Sequence, residues 1–140
     1  SGALVLLIVP LLAACTDQRA SFEIKGSAHA LSLIRVTGLP WENTAKYSIV
    51  AAHMPDCMRR HAMGNAPLNA KVEVYSPGND AWIIKQGEQM YVTETRSCEG
   101  FAVHDAVPPQ GLGSPFGVCE MKNDVLVFTP APKADMPVAN

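Results

Sequence analysis

At 140 residues, with a formal net charge of −2 and a pI near 6, the chain lacks the basic balance of a nucleic-acid-binding protein. Hydrophobic residues make up 48% and charged residues 17%, which suits one globular domain and excludes a long disordered or strongly charged chain.

The chain opens SGALVLLIVPLLAAC, fifteen residues without a charge. The apolar run from Ala3 to Ala14 is shorter than the about 20 residues that a membrane-spanning helix needs. It fits the h-region of a signal peptide, about 7–15 apolar residues ending in small ones. Ala13 and Ala14 are those small residues, and Leu12-Ala13-Ala14-Cys15 has the pattern of a lipobox. The chain therefore resembles a bacterial lipoprotein precursor. That resemblance implies a signal peptide over 1–14 and, at Cys15, a lipidated and acylated new N-terminus. No basic n-region precedes the apolar run, so the expectation is a precursor that is longer at this end. Thr16, rather than Asp, follows the cysteine, and the resemblance then implies the periplasmic face of the outer membrane rather than the inner membrane.

After Cys15, TDQRA reads as a polar tether completing the segment 15–20, with a β-rich domain expected over 21–129. Phe22 and Ile24 alternate with Glu23 and Lys25, a strand pattern that Gly26 ends. LSLIRV (31–36) is a second apolar run, stopped by Gly38 and Pro40, and AKYSIVAAHM (45–54) is a third, stopped by Pro55. Asp56 as an N-cap and Gly64 as a stop predict one short helical segment near 56–63.

KVEVY (71–75) places Val72 and Val74 on one face and Lys71 and Glu73 on the other. SPGND (76–80) is turn chemistry, and AWIIKQ (81–86) meets the next run through Gln86-Gly87. These segments predict an antiparallel meander. Residues 99–123 hold Pro108, Pro109, Pro115 and several glycines and read as a long loop, followed by a last strand, DVLVFT (124–129). The Pro/Ala-rich tail, 130–140, reads as disordered. The fold class expected is mainly β: a single small antiparallel sandwich or barrel-like meander.

Once Cys15 is lipidated, Cys57, Cys98 and Cys119 remain, and an exported domain pairs cysteines as disulfides. Cys98 and Cys119 flank the expected loop, and bridging them is preferred. The alternative pairs Cys57 with Cys98 and leaves Cys119 free.

The richest stretch for chemistry is HMPDCMRRHAM (53–63), with two histidines, three methionines and a cysteine. His53, Cys57 and His61 are spaced four apart, and thiolate, thioether and imidazole ligands suit Cu or Zn. Pro55 breaks a common helical face, so the preferred reading is framework, with no metal and no cofactor. Ser114 in GLGSPFG departs from the nucleophile elbow, since Pro115 and Phe116 precede Gly117. His104 beside Asp105 is an acid–base fragment with no visible partner. Tyr75 and Tyr91 fall on the polar faces of their strands, where an exposed aromatic strip is one reading and cover for a second sheet face the other.

The expectation is thus a lipid-anchored cell-envelope protein with a non-catalytic binding or structural domain. Its partners would be the membrane, through the N-terminal lipid, and another envelope protein or small ligand, not nucleic acid. Two alternatives stay open: a soft-metal module using His53, Cys57 and His61, and a small periplasmic hydrolase with its site in 99–123.

Overall fold

A strand with apolar side chains at every second position has one face to bury, and a second such sheet is the simplest cover. The computed structural model describes residues 16–132 and shows this solution. Strands β1 (Thr16–Lys25), β2 (His29–Thr37), β3 (Thr44–His53) and β4 (Cys57–Pro67) form an antiparallel meander in sequence order. The other strands are β5 (Val72–Gly78), β6 (Ala81–Gln86), β7 (Gln89–Glu94), β8 (Phe101–His104), β9 (Ser114–Lys122) and β10 (Val125–Pro130). They build a six-stranded sheet in the order β10-β9-β5-β6-β7-β8. The fold is a two-sheet antiparallel sandwich, not a closed barrel.

Cross-strand registry lines up the core. Ala20 pairs with Leu33 and Leu33 with Ile49, while Phe22 pairs with Leu31 and Leu31 with Ala51. Across the sandwich, Val74, Ile84 and Tyr91 form the facing row. These residues join Tyr47, Val72, Trp82 and Leu126 in one apolar cluster. Phe22 and Phe128 stack at 4.3 Å, tying the first sheet to the outermost strand of the second.

Three expectations need correction. The helical segment near 56–63 is strand β4. Pairing from His53↔Cys57 to Thr44↔Pro67 gives its backbone a ladder along the whole of β3, where a two-turn helix would leave both ends unpaired. Asp56 donates its N–H to His53 O and closes the turn instead of capping a helix. Gly64, at φ 89°, sits where the β3–β4 register shifts and stops nothing.

The supposed tether, 16–20, is the first half of β1. Ala20 is buried, and the Gln18 side chain reaches β10, donating to Asp124 O at 2.8 Å and accepting from Leu126 N at 2.6 Å. The supposed loop 99–123 contains all of β8 and β9, leaving 105–113 as the connection. Gly117 belongs to β9 because the Phe128 ring lies where a Cβ would stand.

The 105–113 segment starts beside His104, paired with Met90, and ends at Ser114, paired with Ser76. It crosses from one edge of the sheet past β7, β6 and β5. Ile83 and Met90, on the face turned away from the first sheet, are each 3% exposed. The proposed signal peptide (1–14), Cys15 and residues 133–140 of the expected tail lie outside the described residues.

Candidate functional site

The histidine- and cysteine-rich stretch builds one seam of the sandwich. His53 pairs with Cys57 across the β3–β4 turn, and Cys57, Arg59 and His61 share a face because strand side chains repeat every two residues. That face meets the segment joining β7 to β8. Cys57 and Cys98 form a disulfide, with Cα atoms 5.8 Å apart. His53 donates from Nδ1 to Thr95 O at 3.1 Å, and His61 from Nε2 to Cys98 O at 2.8 Å. A carbonyl only accepts, so each of these ring nitrogens carries a proton. Arg59 and Glu99 add an exposed ion pair at 2.7 Å.

Two neighbours complete the seam. His29, paired with His53, places Nε2 2.8 Å from Thr95 Oγ1, and Trp82 Nε1 donates to the same oxygen at 3.1 Å. Burial first, and then the adjacent His53, hold the His29 pKa below its ordinary value. The Thr95 hydroxyl accepts from Trp82 and also lies 3.4 Å from Asp80 O, so it links the His29 ring to the β5–β6 turn. Glu94 gathers the turn that follows it. Its carboxylate accepts from the backbone amides of Arg96 and Ser97 at 2.7 Å, from Gly100 N at 2.9 Å and from the Ser97 hydroxyl at 2.5 Å. Burial alone would raise the Glu94 pKa, but these hydrogen bonds outweigh it and bring it down to about 2.

The disulfide removes Cys57 from the candidate metal ligands, and His53 and His61 each donate one ring N–H to a backbone carbonyl. Among the described residues, no group of three or more His, Cys, Asp or Glu side chains is arranged to hold a metal ion.

The preferred Cys98–Cys119 bridge is likewise corrected to Cys57–Cys98. Cys119 lies on β9, three strand spacings from β7 and four from β8, about 14–19 Å across the sheet. A disulfide needs Cα atoms within about 7 Å. Cys119 is a free buried thiol, and burial pushes its pKa up to about 12.

His104 and Ser114 stand on β8 and β9, again about 19 Å apart, so no acid–base pair forms between them. The two tyrosines face opposite ways. Tyr91 points inward and donates to Met63 O at 2.8 Å, while Tyr75 lies on the outer face and donates to Glu73 Oε1 at 2.8 Å. No aromatic strip results.

Two open clefts lie at the end of the sandwich where β1 begins. One, of about 500 Å³, runs between the β4–β5 connection and the β6–β7 hairpin, lined by Asn65, Lys71, Lys85, Gln86, Gln89 and Tyr91. Gln86 is 8% exposed, and its Nε2 has no hydrogen-bond partner among the described residues. Sequence reasoning treated Gln86 as a turn residue. The missed signal is its place in the alternation Trp82, Ile84, Gln86, which sets an amide on an apolar face. The other cleft, about 610 Å³, borders the β2–β3 turn and includes Leu39, Trp41 and Lys46. Trp41 is 77% exposed and Leu39 44%.

No family model, curated protein or solved structure matches this chain.

Proposed function

We propose that the chain is a lipid-anchored cell-envelope protein whose disulfide-stapled sandwich acts by binding rather than by catalysis. The observation that carries this reading is Leu12-Ala13-Ala14-Cys15, the lipobox pattern, standing directly before the first strand. Acyl chains on Cys15 would hold the sandwich close against a bilayer, since β1 begins at the next residue. The Cys57–Cys98 bridge agrees with an oxidising compartment such as the periplasm. Thr16 after the cysteine favours the outer membrane.

Support for binding comes from the cleft around Gln86. The buried Gln86 Nε2, without a partner among the described residues and in a cleft also lined by Lys71 and Lys85, suits a small polar ligand or the backbone of a partner envelope protein. The test is metabolic labelling with radioactive palmitate in a Gram-negative host. The expected result is a labelled band that sediments with outer membranes and disappears in Cys15→Ala. An unlabelled wild-type chain would overturn the anchor.

A further inference from the structure

The β1 end of the sandwich carries an apolar tip. Antiparallel pairing sets Thr16 opposite Thr37, and Cα atoms in such pairs lie about 5 Å apart. From Thr37 the chain turns through Gly38-Leu39-Pro40-Trp41-Glu42 before β3 begins. Trp41 is four residues beyond Thr37, at most about 14 Å along the chain. Cys15 is bonded to Thr16 on the other side of that pair, so a lipid on Cys15 and the indole of Trp41 share one end of the fold.

The turn is built, not loose. Glu42 N donates to Leu39 O at 3.0 Å, and Leu39 N donates to Glu42 Oε1 at 3.2 Å. Pro40 takes the second turn position, where its fixed φ is already correct. At Gly38 a Cβ would meet the movable end of the Glu42 side chain, so glycine leaves room for that carboxylate to reach Leu39 N. The result is an ordered turn that displays a 77% exposed tryptophan and a 44% exposed leucine. Its one carboxylate, on the exposed Glu42, spends an oxygen on Leu39 N and lines the same cleft as Trp41.

We infer that the Leu39–Trp41 tip is a membrane contact, seated at the headgroup–acyl boundary beside the acylated Cys15. This rests on the lipid-anchored reading. An indole has an apolar body and an N–H donor, and tryptophan concentrates at membrane–water interfaces for that reason. Lys46 lines the same cleft as Trp41 and supplies a cation for lipid phosphate. With the lipid at one corner and the indole at another, the sandwich stands on the bilayer in a fixed orientation.

The chain has two tryptophans, and the other, Trp82, is buried with its N–H bonded to Thr95. Fluorescence therefore isolates the tip. The full-length protein, acylated in bacterial cells, is reconstituted into phosphatidylethanolamine/phosphatidylglycerol vesicles doped with acyl-brominated phosphatidylcholine. The expected result is loss of most Trp41 emission, absent from Trp41→Phe, which reports Trp82 alone. Mass spectrometry of the Cys15 peptide is read separately. Acylated protein whose quenching equals that of Trp41→Phe would overturn the tip, leave the anchor standing, and point to a protein covering this surface. Unacylated protein whose Trp41 is quenched by added vesicles would keep the tip and discard the anchor.

Discussion

The rings of His29 and His53 stack face to face, with centroids 4.1 Å apart and planes 8° from parallel. A protonated His29 would sit against His53 and close to Lys25, with only Asp80 to favour the charge. Its folded-state pKa accordingly lies below 6.5. Below that pH the unfolded chain binds a proton that the folded chain refuses, so this contribution to stability is complete above 6.5 and declines as pH falls. The urea midpoint is expected to fall between pH 7 and pH 5. In His29→Gln the fall should be smaller, and an unchanged slope in that variant would assign the acid sensitivity elsewhere.

Glu94 titrates in a lower window. With its pKa brought from 4.5 to about 2, its contribution is whole above 4.5 and disappears as pH falls through 2. Glu94→Gln keeps the shape but loses the charge that four donors share. It is expected to cost about 2 kcal/mol at pH 7 by urea unfolding, the scale of hydrogen bonds to a charged group. The same variant should flatten the loss of stability between pH 4.5 and pH 2 that the wild type shows.

The two-sheet architecture was legible where period-two alternation met turn chemistry. Val72, Val74, Trp82 and Ile84 alternate around SPGND, and Asn79 and Asp80 adopt the positive φ that such a turn asks of them. Strand β4 was not legible, because Asp56 and Gly64 mimic helix punctuation and only the open edge of β3 decides between helix and strand. The disulfide failed for a related reason. Cys98 and Cys119 are near in sequence, but the sheet order carries β9 to the far side of β5 and β6. His53, Cys57 and His61 do share a face, as their spacing suggested for a helix. The β3–β4 hairpin delivers the same alignment, and the chain uses it to fasten a seam.

That seam predicts the consequence of reduction. Cys57 and Cys98 are separated by 41 residues, and closing a loop of that size restricts the unfolded chain by about 4 kcal/mol in the chain-entropy model. Cys57→Ala combined with Cys98→Ala is expected to lower unfolding stability by that order in urea. Non-reducing digestion with trypsin and Glu-C should join peptide 47–59 to peptide 97–99 and leave 100–120 with a free thiol. A mass corresponding to 97–99 joined to 100–120 would overturn the pairing.

Cys119 gives the complementary measurement. It stands between Val72 and Phe128 in the strand register, fully buried, with its pKa pushed up to about 12. The thiolate is the reactive form, so neither access nor ionisation favours modification of the folded protein. In a Cys15→Ala background Cys119 is the one free thiol, and maleimide is expected to leave the native protein unlabelled at pH 7. In urea without reductant, one label per chain should appear, at the rate of unfolding if reagent is in excess. Rapid native labelling would mean that β9 opens locally, and labelling of three thiols in urea would mean that the Cys57–Cys98 bridge had not formed.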